Sequence, residues 1–353
     1  MNSTFLKILI LSILVSCSKS EPIIEPETDI YFPPLTGNLW EKTSVEELGW
    51  NQNQVQQLMN YLDENNTKAF ILLHHGKIVF ENYFNGHTTD SPWYWASAGK
   101  TLTSIMVGIA EENGYLTINT KVSDYLGDGW TTAPIAKENL ITSKHLLSMT
   151  SGLDDSFGDN VAADNLMYFT DAGTRWAYHN VYVKLQSIIE VATQQSFANF
   201  FNTHLKEKTG ITGTWVQTGD FSVYYSTARS MARFGLLALN KGTWNTTPIA
   251  NETYFNNSIS TSQTINKSYG YLWWLNGKES YHLPQTQLEF QEELIPNAPS
   301  DLFCALGKND QKIYVVPSKN LVIIRMGESA EDTNFALSNF DNNLWEKINL
   351  IIN

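Results

Sequence analysis

Cysteine and positive charge are both scarce in this chain. Of its 353 residues only two are cysteine, Cys17 and Cys304, and Cys17 lies in an N-terminal targeting segment. The folded part therefore holds one thiol and no internal disulfide, and cysteine usage says little about the redox compartment. Lysine and arginine number 23 against 36 acidic residues, a formal net charge of −13. That balance excludes the basic footprint of a nucleic-acid binder and is accounted for by solubility. Long apolar runs are missing too. The stretch from Ile8 to Val15 is too short to span a bilayer. No internal repeat is present. His74-His75 invites thought of a metal, but no carboxylate–histidine spacing accompanies it, so neither metal nor cofactor is expected.

Aromatic and apolar residues are plentiful. The chain is 42% hydrophobic, with 11 Trp, 16 Tyr and 17 Phe. That suffices for a substantial core and for clefts lined by rings with polar edges.

The first residues, Met1 to Lys7, are weakly basic, and the apolar stretch after them ends in Leu14-Val15-Ser16-Cys17. This resembles the bacterial lipoprotein lipobox, which implies that Cys17 carries acyl chains after removal of residues 1–16. Residues 17–35 follow as an acidic, proline-containing tether with Glu21-Pro22 and Glu25-Pro26, too polar to offset their ordering entropy by burial. Residues 36–353 form the remaining domain. The expected place is the bacterial cell envelope, lipid-anchored, periplasmic or at the cell surface.

Within that domain, Val55, Leu58, Met59 and Leu62 recur at helical spacing. Lys68 to Phe84 reads as a hairpin turning at His75-Gly76. Ser97 to Asn113 predicts a helix closed by Gly114. Val181 to Thr193 and Ser226 to Asn240 predict further helices. Strands return at Gln311 to Val316 and Leu321 to Met326, and Asn334 to Ile352 is again helical. Strands at both ends with helices between predict an α+β fold: an antiparallel sheet assembled from both chain ends, flanking helices, and an inserted, mainly helical lobe. The cleft between sheet and lobe is the natural site.

Ser97-Ala98-Gly99-Lys100 places a hydroxyl and an amine on one helix face, one way to activate a nucleophile. Ser-x-x-Lys alone is weak, since Ser16 to Lys19 repeats it by accident. The stretch Trp95 to Ser104 looks like the first motif of serine β-lactamase-related hydrolases. That family includes class C β-lactamases, D-alanyl-D-alanine peptidases, esterases and 6-aminohexanoate-dimer hydrolases. His145-Leu146-Leu147-Ser148-Met149-Thr150-Ser151-Gly152-Leu153 resembles the family's HLLTMTSGL segment, and Tyr178-His179-Asn180 its Tyr-x-Asn motif. The resemblance covers roughly residues 36 to 350. It implies a β-lactamase/transpeptidase-like fold and an acyl-enzyme on Ser97.

Ser97 needs a base within reach. Lys100, near a helix N-terminus among aromatic neighbours, is expected to lose its proton more readily than a free lysine. Tyr178, beside a cationic lysine, is expected to favour its phenolate. The two would share a proton, and the sequence does not choose between them. Asn180 would hydrogen-bond the substrate or Lys100. For the third motif, Lys208-Thr209-Gly210 is a literal Lys-Thr-Gly match, but it closes a helical stretch, with Gly210 as the cap. Ala305-Leu306-Gly307, followed by Lys308 and a strand, resembles the esterase and amide-hydrolase branch better. Its Asp310 stands where that branch has a second glycine. The resemblance then implies an oxyanion hole from the backbone N–H groups of Ser97 and Lys308, beside Gly307. Ala305 cannot hold a substrate carboxylate as a lysine or histidine does; Lys308 could substitute in part. His145 and His179 are expected to be structural. Trp93, Tyr94, Trp95, Trp273 and Trp274 are divided between acyl pocket and core.

The expected function is a serine hydrolase acting on a small-molecule ester, amide or peptide, held to the membrane by its lipid. The rival readings are a β-lactamase or D-amino-acid-specific peptidase, and a ligand-binding lipoprotein without turnover.

Overall fold

A computed structural model describes residues 30–330 and 337–353. Its centre is a six-stranded antiparallel sheet. In spatial order the strands are Lys77–Tyr83, Thr67–His74, Leu321–Gly327, Gln311–Val316, Phe303–Gly307 and Trp274–Leu275. The N-terminal hairpin thus pairs with the C-terminal strands, in a register that sets Ile71 opposite Ile324. His75 (φ 46°) and Gly76 (φ 79°) turn the first hairpin. Two left-handed residues in a row match the right-handed strand twist.

The three central strands are buried along most of their length, so both faces are covered. One face carries the helix Ala228–Leu239, entered through the side-chain cap of Thr227. A Cβ on Gly235 would lie 2.4 Å from Val322 Cγ1, so the glycine lets this helix settle onto the sheet. The amphipathic helix Val55–Glu64 packs with the C-terminal helix Asn339–Ile352. The latter opens at Ser338 with a capping box closed by Asp341. Residues 331–336, where the spacing predicts the beginning of this helix, lie outside the described residues.

The inserted lobe is built on the helix Lys100–Glu112. All its residues from Lys100 to Ala110 are buried, the mark of a core helix. It packs against Lys184–Thr193. Gly108 lies under the Tyr254 ring, whose hydroxyl donates to Ser104 O at 2.9 Å.

Packing begins earlier in the chain than the tether reading implies. Tyr31 N donates to His75 O, Arg233 Nη2 donates to Pro34 O, and the Phe32 ring meets Trp244 edge-on. Ile30, Tyr31 and Phe32 pack, partly buried, against the core. Among the described residues no helix is long and apolar enough to cross a membrane.

Candidate active site

Ser97 sits on a tight turn and not on the α-helix itself. Trp95 fixes the turn from below: it is fully buried, its N–H donates to Tyr224 O, and its indole donates to Ser226 Oγ at 2.7 Å. Ala96 then takes φ 47°, a left-handed conformation disfavoured for a residue with a Cβ. A 3-10 turn over Ala96–Gly99 leads into the α-helix at Lys100. Ser97 is therefore presented at the helix start, partly exposed. Lys100 reaches back over its own turn and places Nζ 2.7 Å from Ser97 Oγ.

Lys100 is buried, with Nζ 4.6 Å from the centre of the Tyr178 ring and 4.7 Å from that of Tyr182. Removal from water disfavours the ammonium and lowers its ionisation from 10.5 to about 7; the charge of Asp159 works weakly in the opposite direction. Near neutral pH the amine is thus available to accept a proton. Tyr178 departs from expectation. Its phenol is raised well above the ordinary tyrosine range by burial, and interactions with Ser97 and Trp274 offset this only in part. Desolvation outweighs the attraction expected from Lys100, which is itself only partly protonated near neutral pH. The two shifts run in opposite directions: burial favours the neutral amine of Lys100 and the neutral phenol of Tyr178.

The segment His145–Leu153 explains how Tyr178 is held. Met149 O accepts from Ala177 N, Leu147 O from Leu272 N, and Thr150 O from Gly173 N. One irregular backbone stretch thereby fixes both the residue before Tyr178 and the strand approach to Trp274. Trp274 stacks on Tyr178 with centroids 5.8 Å apart, and Tyr269 meets it edge-on. His145 is structural: its Nδ1 closes a capping box with Thr142. His179 is buried behind Tyr178, and burial lowers its ionisation.

The strand Phe303–Gly307 runs beside the Ser97 turn. A Cβ on Gly307 would fall 2.4 Å from Trp95 O and 3.1 Å from Ala98 N, so only glycine permits this approach. The next N–H, that of Lys308, takes no backbone acceptor among the described residues. The geometry questioned at Asp310 is met without a second glycine: Asn309 (φ 59°) and Asp310 (φ 57°) both adopt the left-handed region, which Asn and Asp tolerate best. Ala305, two residues before Gly307 and on the same face, is buried and offers no charge. The Lys308 side chain is exposed.

Asn180 does not bond Lys100. Its Nδ2 donates to Asp159 Oδ1 at 2.6 Å, because the loop between Asp154 and Thr174 brings a carboxylate beside it. Asp159 and Tyr182 are the neighbours of the site that the motifs did not signal. Lys208-Thr209-Gly210 is the end of a helix, with Gly210 at φ 70° as its cap, away from the nucleophile turn. Trp95, Trp273 and Trp274 are core residues; Trp93 and Tyr94 are half-buried on a short strand paired with Tyr225 and Ser226. His74 and His75 flank the hairpin turn. No cluster of three or more His, Cys, Asp or Glu able to hold a metal occurs among the described residues. Cys17 lies outside them.

A family model described as Beta-lactamase matches residues 56–342. No curated protein matches the sequence. Solved structures do match. A Bacillus anthracis protein assigned as a 6-aminohexanoate-dimer hydrolase superposes with a TM-score of 0.69 at 20% identity, covering 91% of this chain and 89% of its own. A Bacteroides dorei protein assigned as a β-lactamase gives 0.66 at 16% identity, covering 86% and 99%. A β-lactamase/D-alanine carboxypeptidase from Pseudomonas syringae gives 0.62 at 15% identity, covering 84% and 97%. At these identities the likeness is one of fold.

Proposed function

We propose that this chain, which belongs to the beta-lactamase family of serine hydrolases, cleaves an ester or amide of a small molecule through an acyl-enzyme on Ser97. The observation that carries this reading is the 2.7 Å contact between Ser97 Oγ and a buried Lys100 whose ionisation has fallen to about 7.

In the proposed cycle, Lys100 takes the hydroxyl proton as Ser97 Oγ bonds to the substrate carbonyl carbon. The carbonyl oxygen becomes an oxyanion facing the N–H groups of Ser97 and Lys308. Collapse breaks the bond to the alcohol or amine, which leaves with the Tyr178 proton, and Lys100 returns its proton to Tyr178. Water then attacks the acyl carbon, gives a proton to the same relay, and Ser97 departs reprotonated. Ala305 supplies no cation to grip a substrate carboxylate, which favours ester or linear-amide substrates over β-lactams and D-alanyl peptides.

The test is turnover of a nitrophenyl ester, with mass spectrometry of the chain after a fluorophosphonate probe. Ser97→Ala should lose both turnover and adduct; a variant that keeps full activity would end the proposal. Efficient nitrocefin turnover would move the assignment to the lactam branch, and an unmodified Ser97 after substrate and probe to a binding protein. We further propose that Cys17 is acylated and tethers the enzyme to the bacterial envelope. Palmitate incorporation in a bacterial host should vanish in Cys17→Ala, and label retained there would refute the anchor.

A further inference from the structure

The turn Lys308-Asn309-Asp310 carries half of the proposed oxyanion hole, yet its backbone is costly. Two consecutive L-residues at positive φ resist the conformation, though Asn and Asp resist it less than other side chains. Something must hold them. Arg325, on the neighbouring strand but one, does so from inside the core. It is completely buried. Its Nη1 donates to both Asn309 O and Asp310 O at 3.0 Å. Its Nη2 donates to Asn65 O at 2.7 Å and Glu328 O at 2.8 Å, and Nε reaches Thr67 Oγ1 at 3.2 Å. The ring of Phe340 lies 5.0 Å from its Cζ. Burial lowers its ionisation only to about 10, so it stays cationic.

A buried arginine normally meets a carboxylate. This one spends four of its hydrogen bonds on main-chain carbonyls, two of them on the turn. Its register partner across the sheet is Lys312, also fully buried, so two like charges face each other in the core. That arrangement is unfavourable and is offset by Asp310 and Asp341, which pair with Lys312 at 3.1 and 2.7 Å. The Asp310 carboxylate also accepts from Ala330 N and Ser338 Oγ. Gln311 completes the frame, with Nε2 donating to Asn309 O at 2.7 Å and Gly327 O at 2.6 Å. For holding strands together this is far more than a three-residue turn requires.

We propose that Arg325 is a positioning residue for catalysis: through the carbonyls of Asn309 and Asp310 it aims the Lys308 N–H at the oxyanion, with Gln311 as its second point of restraint. The proposal rests on the acyl-enzyme reading above. It separates from a purely structural role because oxyanion binding is sensed in the transition state and not in the ground state.

The experiment compares wild type, Arg325→Lys and Gln311→Met, each checked for folding by thermal melting. Arg325→Lys keeps the charge but loses the fork. Both variants should show kcat on a nitrophenyl ester reduced at least about 30-fold with KM within about threefold. Affinity for phenylboronic acid, whose tetrahedral adduct places an oxygen in the hole, should fall in parallel, as should preference for an ester over its thionoester. A folded Arg325→Lys with kcat and boronate affinity within twofold of wild type overturns the proposal. If that variant does not fold, Gln311→Met decides by the same criteria. Turnover that survives Ser97→Ala sinks the acyl-enzyme reading itself; Ser97-dependent turnover indifferent to Arg325 and Gln311 sinks only the clamp.

Discussion

Lys100 should write its ionisation into the pH dependence of acylation. A free lysine holds its proton to 10.5, and burial brings this one to about 7, a difference of about 5 kcal/mol between its two protonation states. At pH 7 roughly half of the molecules then carry the neutral amine, against about one in 3,000 without the shift. Measured as kcat/KM on a nitrophenyl ester from pH 5 to 10, with Ser97→Ala subtracted, activity should rise tenfold per pH unit below 7 and level off above it. The profile should stay flat to pH 10, because the Tyr178 phenol is raised beyond that range. Asp159 offers an internal check. Its charge favours the ammonium, so Asp159→Asn should move the midpoint to lower pH. Asp159 is exposed, and added salt should shrink that displacement. A rate climbing without a plateau to pH 9 would refute a desolvated lysine base, and a midpoint moved to higher pH in Asp159→Asn would refute the charge assignment.

Two substitutions away from the proton relay test the frame around it. Gly307→Ala puts a Cβ against Trp95 O at 2.4 Å, backbone against backbone, so strand and nucleophile turn must part; kcat should fall more than about tenfold with a stability loss of about 1–3 kcal/mol, and an unchanged kcat would show that the strand does not abut the site. Lys312→Met removes the ion-pair partner of two buried carboxylates, Asp310 and Asp341, which keep their hydrogen bonds and the more distant charge of Arg325, and should cost about 3 kcal/mol in urea unfolding; a loss below about 1 kcal/mol would mean that water reaches this pocket.

The parts of the fold that sequence revealed are those written in local backbone chemistry. His75-Gly76 signalled its hairpin because both residues accept positive φ, and Gly210 signalled a helix end, which exposed Lys208-Thr209-Gly210 as a coincidence. That Ser97, Lys100 and Tyr178 lie together was legible because their motifs preserve spacing. What escaped depends on distance along the chain. Arg325 meets Asn65 and Thr67 some 260 residues away, and no periodicity announces such a partner. Asn180 was claimed by Asp159 from a loop 21 residues earlier. The Tyr178 phenolate failed for a different reason: charge proximity can be guessed from a motif, but the depth of burial that overrides it cannot.

That same burial makes a further demand on Lys100, one that sets function against stability. The folded chain holds this lysine at about 7 and the unfolded chain at 10.5. Between those values the unfolded state binds the extra proton, so stability from this group rises with pH across that window. The penalty is present in full below about pH 7 and is gone above 10.5. Lys100→Met fills much the same volume and carries no charge. It gives up the contact with Ser97 and the two tyrosine faces, together worth about 1–3 kcal/mol, but escapes a desolvation cost of about 5 kcal/mol. The variant should therefore be inactive yet more stable than wild type at pH 7 by a few kcal/mol, with the gain shrinking steadily toward pH 10. Urea titrations of both proteins at pH 6, 7, 8.5 and 10 measure it directly. A Lys100→Met chain equally destabilised at every pH would mean that the lysine folds with its proton in place, and the base would have to be sought elsewhere.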